Sequence, residues 1–165
     1  MGGVPSPFFL RPPEHGDYAH VVRRHGELYA QEYGWDDRFR QLVESIVTDF
    51  QADAPGPKRM WIADCGGEVA GSIMAVRDPD TPDTARLRCL YVESGHRGHG
   101  IGLALIEACV AFCREAGYEH LVLWTMQTLT AAARLYERAN FVRVDETPTR
   151  AFGHDLVAEN WRLAL

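Results

Sequence analysis

The sequence predicts an α/β (α+β) fold, a mixed central sheet of six to seven strands flanked by helices. Three observations predict it. Two helix-period segments precede a run of three strands. A glycine-rich loop joins the last of those strands to another helix. Strand and helix patterns then alternate toward the end of the chain, and such a helix-linked crossover within one sheet makes a parallel pair.

Each element has a local cause. Phe8, Phe9, Leu10 and Arg11 read as an opening strand, stopped by Pro12 and Pro13. A helix starts at Gly16 and Asp17, with Asp17 expected as its N-cap. Tyr18, Val21, Val22, His25, Leu28 and Tyr29 follow the 3.6-residue period, and Gly34 ends that helix. A second helix begins near Asp36 and Asp37, and Phe39, Leu42, Val43, Ile46, Val47 and Phe50 form its single apolar face. Residues 60–63 and 69–76 flank a glycine-bearing hairpin connection, Cys65-Gly66-Gly67-Glu68. Residues 87–92 form an apolar, central strand. The loop 95–102 runs into a helix whose face is Ile101, Ala104, Leu105, Ala108, Cys109 and Phe112, with Gly117 in the left-handed position after its end. Residues 121–125 are a buried strand, 130–139 a short helix, and 141–144 and 160–163 the last two strands.

Composition narrows the function. A chain of 165 residues suits one domain and can bury a core without a metal or disulfide staple, so residues 1–165 are expected to form a single domain. Lys and Arg total 17 against 23 Asp and Glu, a net charge of −6. That sign argues against a nucleic-acid footprint and against docking on an anionic membrane. No apolar run approaches the roughly 20 residues that span a bilayer, and the first ten residues do not read as a signal peptide. Cys65, Cys89, Cys109 and Cys113 contain no C-x-x-C pair and sit mostly in apolar segments, which implies reduced thiols and a cytoplasmic setting. The histidines lack ligand spacing, so no metal is expected.

The chemistry concentrates in Arg97-Gly98-His99-Gly100-Ile101-Gly102, directly after a strand and directly before a helix. Such a loop aims consecutive N–H groups, backed by the helix dipole, at one anion, and a pyrophosphate is the natural guest. No Lys-Ser/Thr follows the last glycine, which excludes a Walker loop. A dinucleotide fingerprint belongs in a first β-α-β unit, whereas this loop comes after three consecutive strands.

Leu90-Tyr91-Val92-Glu93 followed by Arg97-x-x-Gly100-x-Gly102 resembles motif A of the GNAT acetyltransferase superfamily. Ala132-x-x-Leu135-Tyr136-Glu137-Arg138-Ala139-Asn140-Phe141 is similar to that superfamily's A-x-x-L-Y-E-K-x-G-F segment. Gly26 to Trp35 and Phe152 to Leu156 resemble the acetyltransferase domain fused behind MarR-type regulators, and no winged helix is expected in the short stretch before the first strand. The resemblance implies a V-shaped splay between the fourth and fifth strands that takes acetyl-CoA. It implies that Arg97, Gly98, His99, Gly100, Ile101 and Gly102 hold the pyrophosphate, with Leu90, Tyr91 and Val92 alongside the pantetheine. Gln127 and Ala132 are further expected cofactor contacts, Gln127 standing where an Asn is often found. Tyr136 matches the tyrosine that protonates the departing thiolate. Asn140 replaces the usual glycine in a turn where Asn is the next-best left-handed residue.

No general base is legible on the strand 87–92, and Glu93, in the turn after it, is expected to be solvated. Glu27 and Glu32 on the first helix and His154 beside Asp155 are the candidates, with a water relay as the alternative; the catalytic set is Tyr136, Glu32 and His154. Glu27, Tyr29, Glu32, Tyr33 and Trp124 are the expected acceptor contacts, with cation–π contact from the aromatic set. The function these residues imply is acetyl transfer from acetyl-CoA to a primary amine by direct attack. A small-molecule amine or amino acid is the favoured acceptor and protein lysine the alternative. A non-catalytic acyl-CoA-sensing module, or a regulator's partner, is the rival function. Pairing as a homodimer is left open.

Overall fold

A computed structural model describes residues 7–52 and 55–165. The chain runs β1 (Phe8–Arg11), α1 (Asp17–Tyr33), α2 (Asp37–Gln51), β2 (Arg59–Cys65), β3 (Glu68–Arg77) and β4 (Thr84–Val92). A 3-10 turn (Ser94–His96) then leads to α3 (Ile101–Glu115), β5 (His120–Met126), α4 (Thr130–Arg138), β6 (Val142–Ala151) and β7 (His154–Ala164). Seven strands form one sheet in the order β1-β2-β3-β4-β5-β7-β6, and β4 with β5 is its parallel pair. The mixed sheet of the sequence reading is therefore present, at the upper end of its strand count.

Helices cover both faces. On one, Val21, Val22 and Leu28 of α1 and Val43 and Val47 of α2 pack on Met60, Ile62, Met74 and Tyr91. On the other, Ile101, Leu105, Ile106 and Cys109 of α3 and Tyr136 of α4 pack on Leu87, Leu121, Leu123 and Trp161. A sheet buried on both faces explains why its central strands read as near-continuous apolar runs.

Two irregularities shape the centre of the sheet. Thr84, Ala85 and Arg86 pair with His120, Leu121 and Val122, after which β4 and β5 part company. Beyond that point β4 carries a bulge, since the register against β3 jumps from Met74↔Arg88 to Ser72↔Tyr91. Cys89 takes a φ of 54° there, and its carbonyl accepts a hydrogen bond from Ser72 Oγ at 2.8 Å. A bulge adds an unpaired residue and bends the strand, which is what a splay requires.

Three expectations from the sequence are corrected. The N-cap of α1 is Gly16 in a left-handed conformation, without a side-chain cap. Asp17 instead accepts from the Glu14 N–H and from Arg11, which also holds Asp64. The last two strands are much longer than 141–144 and 160–163, so His154 and Asp155 lie at the start of β7 rather than in a long connection. The exposed, polar edge strand β6 has no apolar rhythm to betray it. Third, Glu93 is not solvated: Arg24 holds both its oxygens at 2.9 and 2.8 Å. Gly117 and Asn140 take the left-handed conformations expected of them, at φ 87° and 72°.

Candidate active site

The splay opens into a cavity of about 110 Å³ between β4 and β5, lined by Leu87 to Leu90, Leu123 to Met126, and Tyr29, Phe39 and Tyr136 among others. An aromatic cluster closes one end. Trp35 lies 5.0 Å from Phe152, Phe39 5.1 Å from Phe152, and Tyr29 4.6 Å from Phe39, between ring centroids. These contacts hold the α1–α2 turn against the β6–β7 hairpin, so the rings serve one another before any guest. Trp124 lines the same cavity and is 42% exposed, leaving its face available.

Tyr136 reaches the cavity from α4. It is 5% exposed, with Phe141 and Trp161 at centroid distances of 5.8 and 5.9 Å. Its hydroxyl makes no hydrogen bond to any described residue. Burial, with smaller contributions from Tyr29 and Cys109, pushes its pKa well above the ordinary phenol value. It is therefore a phenol with its proton on, fixed by packing and facing the splay.

The glycine loop lies at the C-terminal end of β4. Gly98 and Gly100 have φ of 81° and 83°, and a Cβ on either would meet nothing within 4 Å. No side chain caps α3, and the N–H groups from Gly98 through Leu103 make no hydrogen bond to a described residue. Open space above unpaired N–H donors at a helix N-terminus fits a pyrophosphate. Gly102 has a different job: a Cβ there would stand 2.7 Å from Leu135 Cδ1, so it permits α3 and α4 to pack closely. Arg97 turns away from the loop. Its guanidinium donates to Glu32 Oε1 at 2.6 Å and to the Val92 carbonyl at 3.2 Å.

The remaining expected residues separate into groups. Leu90 lines the cavity, whereas Tyr91 gives its ring to the core beneath α1, 4.6 Å from His25. Val92 packs against the α3 side. Glu27 is held on the outer surface by Arg23 and Arg24. Tyr33 packs in tilted contact with the rings of Tyr29 and Trp35. His154 Nε2 is engaged with the Gly34 carbonyl at 2.8 Å, fastening β7 to the end of α1. His99 and Gln127 are exposed, and Ala132 packs under α3.

Sequence reasoning missed His25 and Arg88. His25 is 2% exposed; its Nδ1 bonds the Val21 carbonyl at 2.7 Å while Nε2 finds no partner among the described residues. Burial lowers its pKa to about 4, so it is neutral at pH 7. Its place on the apolar stripe of α1 made it look like plain core.

Residues 22–141 match the model of the acetyltransferase (GNAT) family. The chain belongs to that family. As a GNAT acetyltransferase it is an acyltransferase with acetyl-CoA as its cofactor. An uncharacterized N-acetyltransferase of Schizosaccharomyces pombe is 27% identical over 130 residues, 79% of this chain and 77% of that protein. N-acetyltransferase 8 of the rat is 33% identical over 53% of this chain but only 40% of its own length. The N-acetylaspartate synthetase of zebrafish is 38% identical over 53% of this chain and 30% of its own. This GNAT acetyltransferase thus spans less than half of several curated relatives it matches. The fold is shared with a putative acetyltransferase of Acinetobacter baylyi (TM-score 0.78, 15% identity, 100% of this chain and 95% of that one). It is shared too with yncA, a putative acetyltransferase of Salmonella typhimurium solved with acetyl-CoA (TM-score 0.75, 19% identity, 96% and 94%).

Proposed function

We propose that this GNAT acetyltransferase transfers acetyl from acetyl-CoA to the primary amine of a small molecule or amino acid, by direct attack. The observation that carries the reading is the junction of three features at one place: the unpaired N–H groups from Gly98 through Leu103, the β4–β5 splay, and the Tyr136 hydroxyl inside it.

When bound, acetyl-CoA supplies a thioester already activated toward amines. The chain's own residues do the rest. The loop amides hold the pyrophosphate, and backbone at Leu90 to Val92 runs alongside the pantetheine. An N–H at the Cys89–Leu90 bulge polarises the thioester carbonyl, where negative charge grows as the amine attacks. Tyr136 holds a proton for the departing thiolate; phenol and thiol reference pKa values, about 10 and about 8.5, lie close enough for that sharing. Glu32 acts by positioning Arg97. His154 positions the hairpin that closes the cavity, and the amine loses its proton through water.

Small-molecule acceptors are favoured by the aromatic-walled cavity, and the name of the zebrafish relative agrees with that class. Reduced, buried Cys109 and Cys113 support a cytoplasmic setting. The segments 26–35 and 152–156 support kinship with domains fused to MarR-type regulators. The test is a panel of amines with acetyl-CoA, read as thiol release. Acceptor-dependent release supports the transferase, and tight CoA binding without release from any acceptor supports the sensing module instead.

A further inference from the structure

A second cavity, of about 510 Å³, lies between the end of α2 and the β3–β4 strands, and Ile46 and Arg88 line both it and the splay. That volume falls within the range of about 300–1,000 Å³ typical of small-molecule sites. Arg88 sits one residue before the bulge, so it borders the place where the acceptor amine must arrive.

Two arginines stand on this face of β4, and they differ. Arg86 is neutralised by Asp78, with Nε at 3.0 Å and Nη2 at 2.9 Å from the same oxygen. The Arg88 side chain makes no hydrogen bond or ion pair with any described residue. A partly buried guanidinium left without an anion loses hydration and gains nothing in return. Burial first and then the nearby Arg86 lower its pKa, outweighing the smaller opposing pulls of Cys89, Asp78 and Asp49. The other charges in the second cavity do not fill the gap: Asp78 is spent on Arg86, and Lys58 bonds the Phe50 and Ala52 carbonyls. Asp49 lines the cavity across from Arg88 without pairing with it. Arg77 also lines the second cavity without an ion pair to any described residue, so it adds to the positive charge there, but it does not line the splay as Arg88 does. Apolar side chains stand among these charges, Phe39, Leu42 and Ile46 toward the splay and Phe50 and Val76 beyond.

We infer that Arg88 is the acceptor-specificity residue: it receives a carboxylate, and the acceptor is an amine that carries both a carboxylate and an apolar body, as an apolar amino acid does. The planar guanidinium matches a carboxylate in two-point geometry, which a lysine would not reproduce. This inference rests on the transferase reading and adds to it the chemical class of the acceptor.

The experiment compares L-phenylalanine and L-leucine with phenethylamine and isopentylamine, the same bodies without the carboxylate, using acetyl-CoA and thiol release. The expected result is a kcat/KM about 10- to 100-fold higher for the amino acids, the worth of a charge-assisted hydrogen bond. Arg88→Met removes that preference by raising the amino-acid KM while the amine kinetics and the calorimetric affinity for CoA stay as they were. Arg88→Lys recovers only part of it. Calorimetry with N-acetyl-L-phenylalanine, which needs no turnover, shows binding to the native protein and none to Arg88→Met. Equal use of amines and amino acids by the native enzyme, or an equal loss on both in Arg88→Met, overturns the role of Arg88 and leaves the transferase standing. Absence of thiol release with every acceptor overturns both.

Discussion

The Arg97 guanidinium is bound to the Glu32 carboxylate at 2.6 Å, joining residues 65 apart in the chain and tying the glycine loop to the last turn of α1. A second tie, Arg24 to Glu93, fixes α1 to the end of β4. The helix that borders the cavity is thereby pinned to the glycine loop. The cation that sequence alone would send to the phosphate is occupied, so the proposed cradle is one of backbone N–H groups.

In the proposed mechanism Glu32 is accordingly a positioning residue. Glu32→Gln is expected to keep kcat within about threefold and to leave the pH–rate profile in place, with a stability cost below about 1 kcal/mol because the pair is half-exposed. Steady-state kinetics across pH decides it. Loss of the acidic limb of the profile in the variant would identify Glu32 as the general base.

Tyr136→Phe removes the only group on α4 able to hand a proton into the splay. The expected outcome is a fall in kcat of about 10²-fold, typical of a lost general acid, with CoA affinity nearly unchanged by calorimetry. Undiminished turnover of the Phe variant across pH removes Tyr136 from the mechanism.

His25 makes stability depend on pH. Its folded pKa of about 4 lies below the unfolded value near 6.5, so the unfolded chain binds the proton first as pH falls. The stability is intact above about pH 6.5 and is lost as pH drops toward 4; between pH 7 and 5 the loss is about 2 kcal/mol. Urea unfolding at those two pH values measures it, and His25→Leu flattens the difference. The carboxylates held down by arginines, Asp17 and Asp78 among them, act at still lower pH.

Much of this molecule was legible because local chemistry announces it. The turn at Asn140, the glycine loop and the inward Tyr136 each follow from residue type and spacing over a few positions. What was not legible depends on partners far apart in sequence. Glu93 reads as a solvated turn residue until Arg24 is placed beside it, and Glu32 reads as a free base until Arg97 reaches it. Arg88 looks like an ordinary strand residue, since only the missing partner marks it. The β6–β7 hairpin escaped for another reason: an edge strand carrying Asp145, Glu146, Thr147, Pro148 and Thr149 has no buried face to impose alternation.

The phosphate cradle is tested most directly by titrating CoA into the native protein and into Gly100→Val under calorimetry. Gly100 occupies a left-handed conformation beneath open space, so a β-branched side chain there both strains the turn and covers the donors. One-to-one binding by the native chain, at least about tenfold weaker in the variant at matched folded fraction, is the predicted result. No heat of binding, or equal affinity in the two proteins, contradicts the account.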